Sequence, residues 1–376
     1  MKVLVTGSSG FIGKNVCKRL QEQDGFEVVE FRHQNTLEEL SERLTQVDFV
    51  IHLAGINRPK SSEEFRSGNV ELTRYICECL SKGNSRVPIL FSSSTQADQD
   101  NPYGESKRKA EEILRSYSEN AGGIVGLLRL PNVFGKWARP NYNSVVATFC
   151  HNIANDETIE IHNPNTRLTL VYVDDVVEQV LGFITEVQAQ INEKPYCRFL
   201  SVQPIYEIEL QVLADTIRRY HHGRKRNTLY SVGRGLDRAL YATYLSYLKP
   251  DSWVHRLVVN RDARGTFTEL LKNEEAGQFS FFTINPGEVR GGHYHNTKNE
   301  RFMVIMGKAK YCFQNIVSQE QYSVESTGDN PEVVETIPGW VHDIENVDSA
   351  IVVVLLWSNE VFDQNKPDTY IGTIDK

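Results

Sequence analysis

The sequence predicts two domains of different class: an α/β domain with a doubly wound parallel sheet, then an all-β domain built as a small barrel. Three observations carry this. Short apolar runs alternate with helical patterns through the first half of the chain. A glycine-rich turn follows the first of those runs. Beyond Leu248-Lys249-Pro250 the helical pattern stops, and short apolar runs separated by glycine, proline and asparagine replace it. The expected domains are residues 1–248 and 252–376.

The elements follow in order. Lys2–Thr6 is a strand, and a helical pattern runs from its glycine turn through Leu20. Phe26–Phe31 is a second strand, Leu37–Leu44 a charged helix, and Phe49–Ala54 a strand bounded by Gly55. Val70–Leu80 reads as helix, Pro88–Ser92 as strand, Tyr103–Tyr117 as a long helix and Ile124–Leu130 as strand. Alternation of this kind pairs its strands in parallel. In the second half the strand candidates are Leu257–Asn260, Gln278–Ile284, Arg301–Met306, Ala309–Phe313, Glu332–Ile337 and Ala350–Leu356.

Composition narrows the function. Hydrophobic residues make up 40% and charged residues 24%, ordinary for a globular chain. A net charge of −8 argues against a dedicated nucleic-acid partner. No apolar run approaches the ~20 residues of a membrane span, so no membrane insertion is expected. The chain opens directly on a strand, without a signal-peptide pattern. Six scattered cysteines read as reduced thiols, which fits a cytoplasmic setting.

The turn Gly7-Ser8-Ser9-Gly10-Phe11-Ile12-Gly13 has the form that binds a dinucleotide. Gly7 permits the tight turn, Gly10 lets backbone approach a pyrophosphate, and Gly13 allows close helix–strand packing; the helix N-terminus then faces the phosphates. The second strand ends Glu30-Phe31-Arg32-His33. Cations at Arg32 and His33 sit where a 2′-phosphate would lie and favour NADPH, while Glu30 is the competing acid for a ribose diol. Tyr103 and Lys107 are four residues apart and share a helix face. An ammonium there is expected to lower the phenol pKa, and Tyr103 can give its proton to a carbonyl as hydride arrives. Ser92-Ser93-Ser94-Thr95 ends a strand at the sheet edge where ligands bind.

In the second half, His293 and His295 alternate as strand neighbours do, Glu300 follows a turn, and His342 belongs to another strand. Three imidazoles and a carboxylate suit a divalent transition metal with open positions. Zinc is the first choice because no redox change is needed; iron, nickel and manganese share these ligand types.

Residues 1–245 resemble the extended short-chain dehydrogenase/reductase family, a Rossmann-type fold, in its sugar-nucleotide-modifying branch. The matching pieces are the glycine turn, His52-Leu53-Ala54-Gly55, Asn69, Ser92-Ser93-Ser94, Tyr103 with Lys107, Arg129-Leu130-Pro131-Asn132-Val133-Phe134-Gly135, and Arg167 before Val171-Tyr172-Val173-Asp174-Asp175. The resemblance implies a catalytic hydroxyl at Ser94 first and Thr95 second. It implies cofactor contacts at Gly7, Gly10, Phe11, Ile12, Gly13, Leu53, Ala54, Lys107, Pro131 and Val133. Asn132 would lie near the substrate and Arg167 on its diphosphate. The segment between the serines and Tyr103 is shorter than in relatives, which leaves the choice of hydroxyl open.

Residues 252–376 resemble the cupin family: Gly287, His293, His295, Glu300 and Gly307 match its first motif, and Gly339, His342 and Asn346 its second. This implies metal ligation by His293, His295, Glu300 and His342. The stretches Arg261–Glu269 and Arg290–Tyr294 also resemble metal-independent dTDP-4-keto-6-deoxyhexose epimerases. There the positions of Arg264 and Arg290 bind diphosphate and that of His293 is the base. His293 as a ligand cannot freely be that base, so Tyr294 and Glu269 are the alternatives.

A 4-keto sugar nucleotide satisfies both halves. Its C3 proton is acidic, and reduction at C4 removes that acidity, so epimerisation comes first. The whole arrangement resembles the bifunctional reductase–cupin enzymes of capsular polysaccharide synthesis in the UDP-N-acetyl-L-fucosamine pathway. That resemblance implies a UDP-linked 4-keto-6-deoxy amino sugar as substrate, C3 epimerisation, NADPH-dependent C4 reduction and a homodimer. The alternative is a reductase whose barrel serves only binding or dimerisation.

Overall fold

The computed structural model describes residues 1–59, 61–83, 86–189 and 194–375. It forms two compact units. One comprises Met1–Ile217 with Ala239–Leu248, the other Arg218–Arg238 with Lys249–Lys376. Residues 218–238, which the sequence reading assigns to the N-terminal domain, thus pack with the C-terminal one.

In the first unit the strands are β1 (Lys2–Thr6), β2 (Glu27–Phe31), β3 (Phe49–His52), β4 (Ile89–Ser94), β5 (Val125–Leu130), β6 (Asn132–Phe134), β7 (Arg167–Tyr172), β8 (Cys197–Leu200) and β9 (Tyr206–Glu209). The main sheet runs β2-β1-β3-β4-β5-β8, all parallel. Its central strands are buried, and apolar over most of their length, because both faces are covered. Val3 and Val5 of β1 enter one core with the helices Phe11–Gln21 and Val173–Ala189; Leu4 enters the other with the helices Leu37–Leu44, Leu72–Lys82 and Pro102–Ala121. A smaller sheet, β6-β7-β9, carries the chain beyond β5. Among the described residues no helix is long and apolar enough to cross a membrane.

The second unit is antiparallel. Its strands are β10 (Val259–Asp262), β11 (Gly265–Asn273), β12 (Gly277–Ile284), β13 (Val289–Tyr294), β14 (Glu300–Met306), β15 (Lys308–Asn315), β16 (Gln321–Thr327), β17 (Val334–Glu335), β18 (Trp340–Asn346), β19 (Val352–Ser358) and β20 (Tyr370–Ile371). They form two sheets, β10-β11-β12-β19-β14-β17 and β16-β15-β18-β13-β20. Phe282, Ile284, Phe302, Val304, Tyr311, Ile344 and Val354 fill the core between them. Residues 227–229 join this unit through backbone bonds between Lys272 N–H and the Asn227 carbonyl (2.8 Å) and between Leu229 N–H and the Lys272 carbonyl (2.8 Å).

Candidate active site and metal centre

The glycine turn leaves no room for side chains. A Cβ on Gly13 would lie 2.1 Å from the Gly7 carbonyl oxygen, and one on Gly7 would lie 2.8 Å from the Ala54 nitrogen. No side chain caps the helix that starts at Phe11, so its first N–H groups face outward as an anion would require. This cradle fits a dinucleotide pyrophosphate. At the end of β2 the Arg32 guanidinium grips Glu30 Oε2 at 2.9 and 3.2 Å, which holds the Glu30 carboxyl below its ordinary range. The two rival readers of the ribose are therefore bonded to each other, with His33 exposed beside them.

Tyr103 and Lys107 occupy the first turns of the helix Pro102–Ala121, which Asn101 caps through Gly104 N–H at 2.8 Å. Lys107 is buried; its Nζ donates to the Ser92 carbonyl at 2.9 Å and lies 4.7 Å from the Phe91 ring centre. Burial brings its pKa down to about 8, against the pull of Glu111. The phenol departs from the sequence reading. Burial raises the Tyr103 pKa, and only the neighbouring Ser94 hydroxyl works against that. Ser94 is buried whereas Thr95 is exposed at the start of a 3-10 turn. Gly55 abuts this set: a Cβ there would lie 3.2 Å from Lys107 Nζ and 2.9 Å from Asn69 Oδ1.

Asn69 lies in a π-turn, Arg66–Glu71, and its amide bonds both the Ile56 backbone and Ser106. Two motif residues are structural. His52 is wholly buried between Thr6 and Thr73 (2.7 and 2.9 Å), and Arg129 is held by Glu111 and Asp98. Asn132 and Arg167 lie on adjacent strands of the small sheet, with Asn132 in register with Leu170 and donating to the Thr169 carbonyl at 3.4 Å. The Arg167 side chain is 78% exposed, with Glu209 3.9 Å away, so it is open to an anionic ligand.

In the second unit the ligand atoms of His293, His295, Glu300 and His342 all lie within 4.8 Å of one another. Strand pairing explains this. His293 and His342 are cross-strand partners, and a bulge between Gly291 and His293 re-aims the imidazole. Gly291 makes that bulge possible at φ +121°, where a Cβ would strike the His342 carbonyl at 2.3 Å. Glu300 opens β14 on the facing sheet. Nε2 of His295 and of His342 stand 3.3 and 3.4 Å from Glu300 Oε2. Both nitrogens are buried and lack a partner with hydrogen-bond geometry, an arrangement that fits a cation among them. Burial opposes the Glu300 charge, but His295, His342 and Lys298 outweigh it and hold the carboxyl below its ordinary range. Burial takes His293 down to about 4, which keeps it neutral and able to ligate at pH 7.

A cavity of about 1090 Å³ opens onto His293, Glu300 and His342. Arg264, Glu269, Lys272, Arg290 and Lys298 line it, as do residues 225–228, which the sequence reading had not connected with this site. Arg264 and Arg290 share the Asp262 carboxylate at 2.6 and 3.2 Å. Of the two alternative bases, Glu269 lines the cavity and pairs with Lys272 at 2.8 Å. Tyr294 instead stacks on Tyr370, ring centres 5.4 Å apart.

A glycine cradle on a parallel sheet and a histidine–carboxylate cluster in an antiparallel unit thus share one chain. Residues 3–196 match the NAD dependent epimerase/dehydratase family, and residues 260–370 match the polysaccharide biosynthesis C-terminal domain. The chain belongs to the NAD dependent epimerase/dehydratase family, and that membership implies a nicotinamide dinucleotide cofactor. It is 49% identical over 374 residues (100% of this chain, 99% of the relative) to UDP-2-acetamido-2,6-beta-L-arabino-hexul-4-ose reductase of Pseudomonas aeruginosa. It is 39% identical to the crystal structure of the capsular polysaccharide assembling protein CapF from Staphylococcus aureus, with TM-score 0.90 and full coverage of both chains. UDP-glucuronic acid 4-epimerase of Bacillus cereus shares the fold at 19% identity, over 66% of this chain and 98% of its own, with TM-score 0.54.

Proposed function

We propose that this chain is an NADPH-dependent reductase of a UDP-linked 4-keto-6-deoxy amino sugar, and that its C-terminal unit first epimerises C3 of the same sugar. The observation that carries the reading is the pairing, in one chain, of half-buried Tyr103 beside buried Ser94 and Lys107 with a largely buried three-histidine, one-carboxylate cluster. A 4-keto sugar nucleotide gives both of them work. Full-length likeness to a relative named for reducing a UDP-hexul-4-ose supports the substrate class.

In the C-terminal cavity, His293, His295, Glu300 and His342 would hold a divalent cation, zinc first. Bound there, it supplies Lewis acidity toward the C4 oxygen, which makes the C3 proton easier to remove. Arg264 and Arg290 take the diphosphate. Glu269 faces the cavity and accepts the C3 proton, and return of a proton to the opposite face inverts that carbon. In the N-terminal unit the glycine turn, Leu53, Ala54, Pro131 and Val133 seat the dinucleotide and Arg32 with His33 meets its 2′-phosphate. NADPH, when bound, supplies the hydride for C4. Tyr103, a phenol that burial holds further toward its protonated form, gives its proton to the C4 oxygen. Ser94 hydrogen-bonds that oxygen, and Lys107 stabilises the phenolate left behind. Asn132 and Arg167 orient the sugar and its diphosphate.

The product would be UDP-2-acetamido-2,6-dideoxy-L-talose, for capsular polysaccharide synthesis in the cytoplasm. Small cupins commonly pair through sheet edges, and on that resemblance we assign a homodimer. The test is incubation with the 4-keto sugar nucleotide in D₂O, read by NMR. Deuterium is expected at C3 without NADPH, and reduction at C4 once NADPH is added. NADPH consumption with no exchange at C3 would leave a reductase whose barrel only binds or dimerises.

A further inference from the structure

Asp368 lies between β19 and β20, far along the chain from the metal-type ligands, yet it is bonded to the loop that joins two of them. Its Oδ2 accepts from the backbone N–H groups of Thr297 (2.7 Å), Lys298 (2.8 Å) and Asn296 (3.2 Å) and from the Thr297 hydroxyl (3.0 Å). Oδ1 also accepts from Asn296 N–H, at 3.1 Å. One side chain therefore takes three successive backbone donors between His295 and Glu300. The Asp368 backbone carbonyl, meanwhile, receives Nδ1 of His295 at 2.5 Å.

Each contact has a consequence for the cluster. A carbonyl can only accept, so His295 must carry its proton on Nδ1, and Nε2 is left bare toward Glu300 and His342. His342 has a looser counterpart, with Nδ1 3.5 Å from the Trp340 carbonyl. Lys298, whose backbone N–H Asp368 holds, also brings its ammonium to the cluster. It sits 3.2 Å from Glu300 Oε1, which turns Oε2 toward the two imidazoles.

We infer that Asp368 is a positioning residue that pre-forms the metal centre: its carboxylate ties down residues 296–298, and so keeps its own backbone carbonyl on His295 Nδ1 and Glu300 facing the imidazoles. The inference rests on the metal reading given above.

Its test is chelator challenge of protein loaded with cobalt(II), following the visible absorption of the bound ion, alongside thermal melts of the metal-free and loaded forms. Asp368→Ala is expected to lose the ion about 10–100-fold faster than the unaltered chain, the usual scale for removing a group that orients ligands. Asp368→Asn should fall between, because its one carbonyl oxygen can take the place of Oδ2. It also serves if the alanine variant fails to fold. Equal loss rates and an equal metal-dependent rise in melting temperature, with only the metal-free melt lowered, would make Asp368 a loop clamp and overturn the inference. Failure of the unaltered protein to take up metal would overturn the metal reading and this role together.

Discussion

The Lys107 ammonium donates to the Ser92 carbonyl at 2.9 Å while lying 6.0 Å from the centre of the Tyr103 ring. The charge is tied to the sheet edge, out of water, and its pKa falls from 10.5 to about 8. Reductase kcat/KM is therefore expected to decline as pH rises through about 8, where Lys107 loses its proton. A pH profile of NADPH oxidation checks this, and a flat profile to pH 9.5 would contradict it. Stability moves the other way. The unfolded chain keeps this proton up to roughly its ordinary pKa of ~10.4, so raising the pH from 8 toward 10 relieves the buried charge and stabilises the fold.

Tyr103→Phe removes the proton donor and leaves Ser94 and Lys107 in place. NADPH oxidation should fall by about 10²–10⁴-fold, the range for a lost general acid. Exchange at C3 should persist, since the cluster that supports it belongs to the other unit. Loss of exchange in a folded variant would show that the two activities are not separable.

Arg32 is bonded to Glu30, so its removal has two effects: a cation is lost and a carboxylate is released. Arg32→Ala should shift the NADPH/NADH preference toward NADH by about 10–100-fold, from a charged hydrogen bond of ~1.5–3 kcal/mol. Glu30→Gln should move it back toward NADPH. Steady-state kinetics with both cofactors decides, and an unmoved preference in Arg32→Ala would remove Arg32 from cofactor selection.

Chelation, or His295→Ala with His342→Ala, should stop solvent exchange at C3. Reduction of a 4-keto sugar that already has the inverted C3 should continue at an unchanged rate. Elemental analysis should find one divalent ion per chain. Exchange that survives chelation in metal-free protein would point to His293 as a base instead.

The elements legible in the sequence are those with a clear apolar run or a helical period. The strand Lys2–Thr6 is apolar because helices cover both of its faces. β11 and β16 were not read as strands because polar residues alternate along Gly265–Asn273 and the edge strand Gln321–Thr327 is largely exposed. The apolar stretch Glu332–Ile337 misled in the opposite sense. Only Val334–Glu335 pairs, and Val333 and Ile337 stay 59% and 54% exposed along a surface cleft. The site shows the same division. Histidines at alternate positions and a tyrosine four residues before a lysine are spacings within one element, so they were legible. Asp368 acts through the backbone of residues about seventy positions away, and residues 225–228 reach the cavity where a single bridge joins Thr228 to Lys272. Neither leaves a local pattern. The fall expected for the Tyr103 pKa became a rise because burial, which depends on the whole fold, outweighs the Ser94 hydroxyl that works against it.

The assignment of residues 218–238 to one unit and 239–248 to the other means that the polypeptide passes between the units three times. No single peptide bond separates them. A fragment begun at residue 249 would lack Asn227 and Leu229, the backbone partners of Lys272, and with them one wall of the C-terminal cavity. A protease cutting once near Pro250 would leave residues 218–238 of the second unit on the N-terminal piece, and a gene split there would yield an incomplete half. Genetic fusions, swaps with other reductases and attempts to evolve the barrel alone all inherit that constraint.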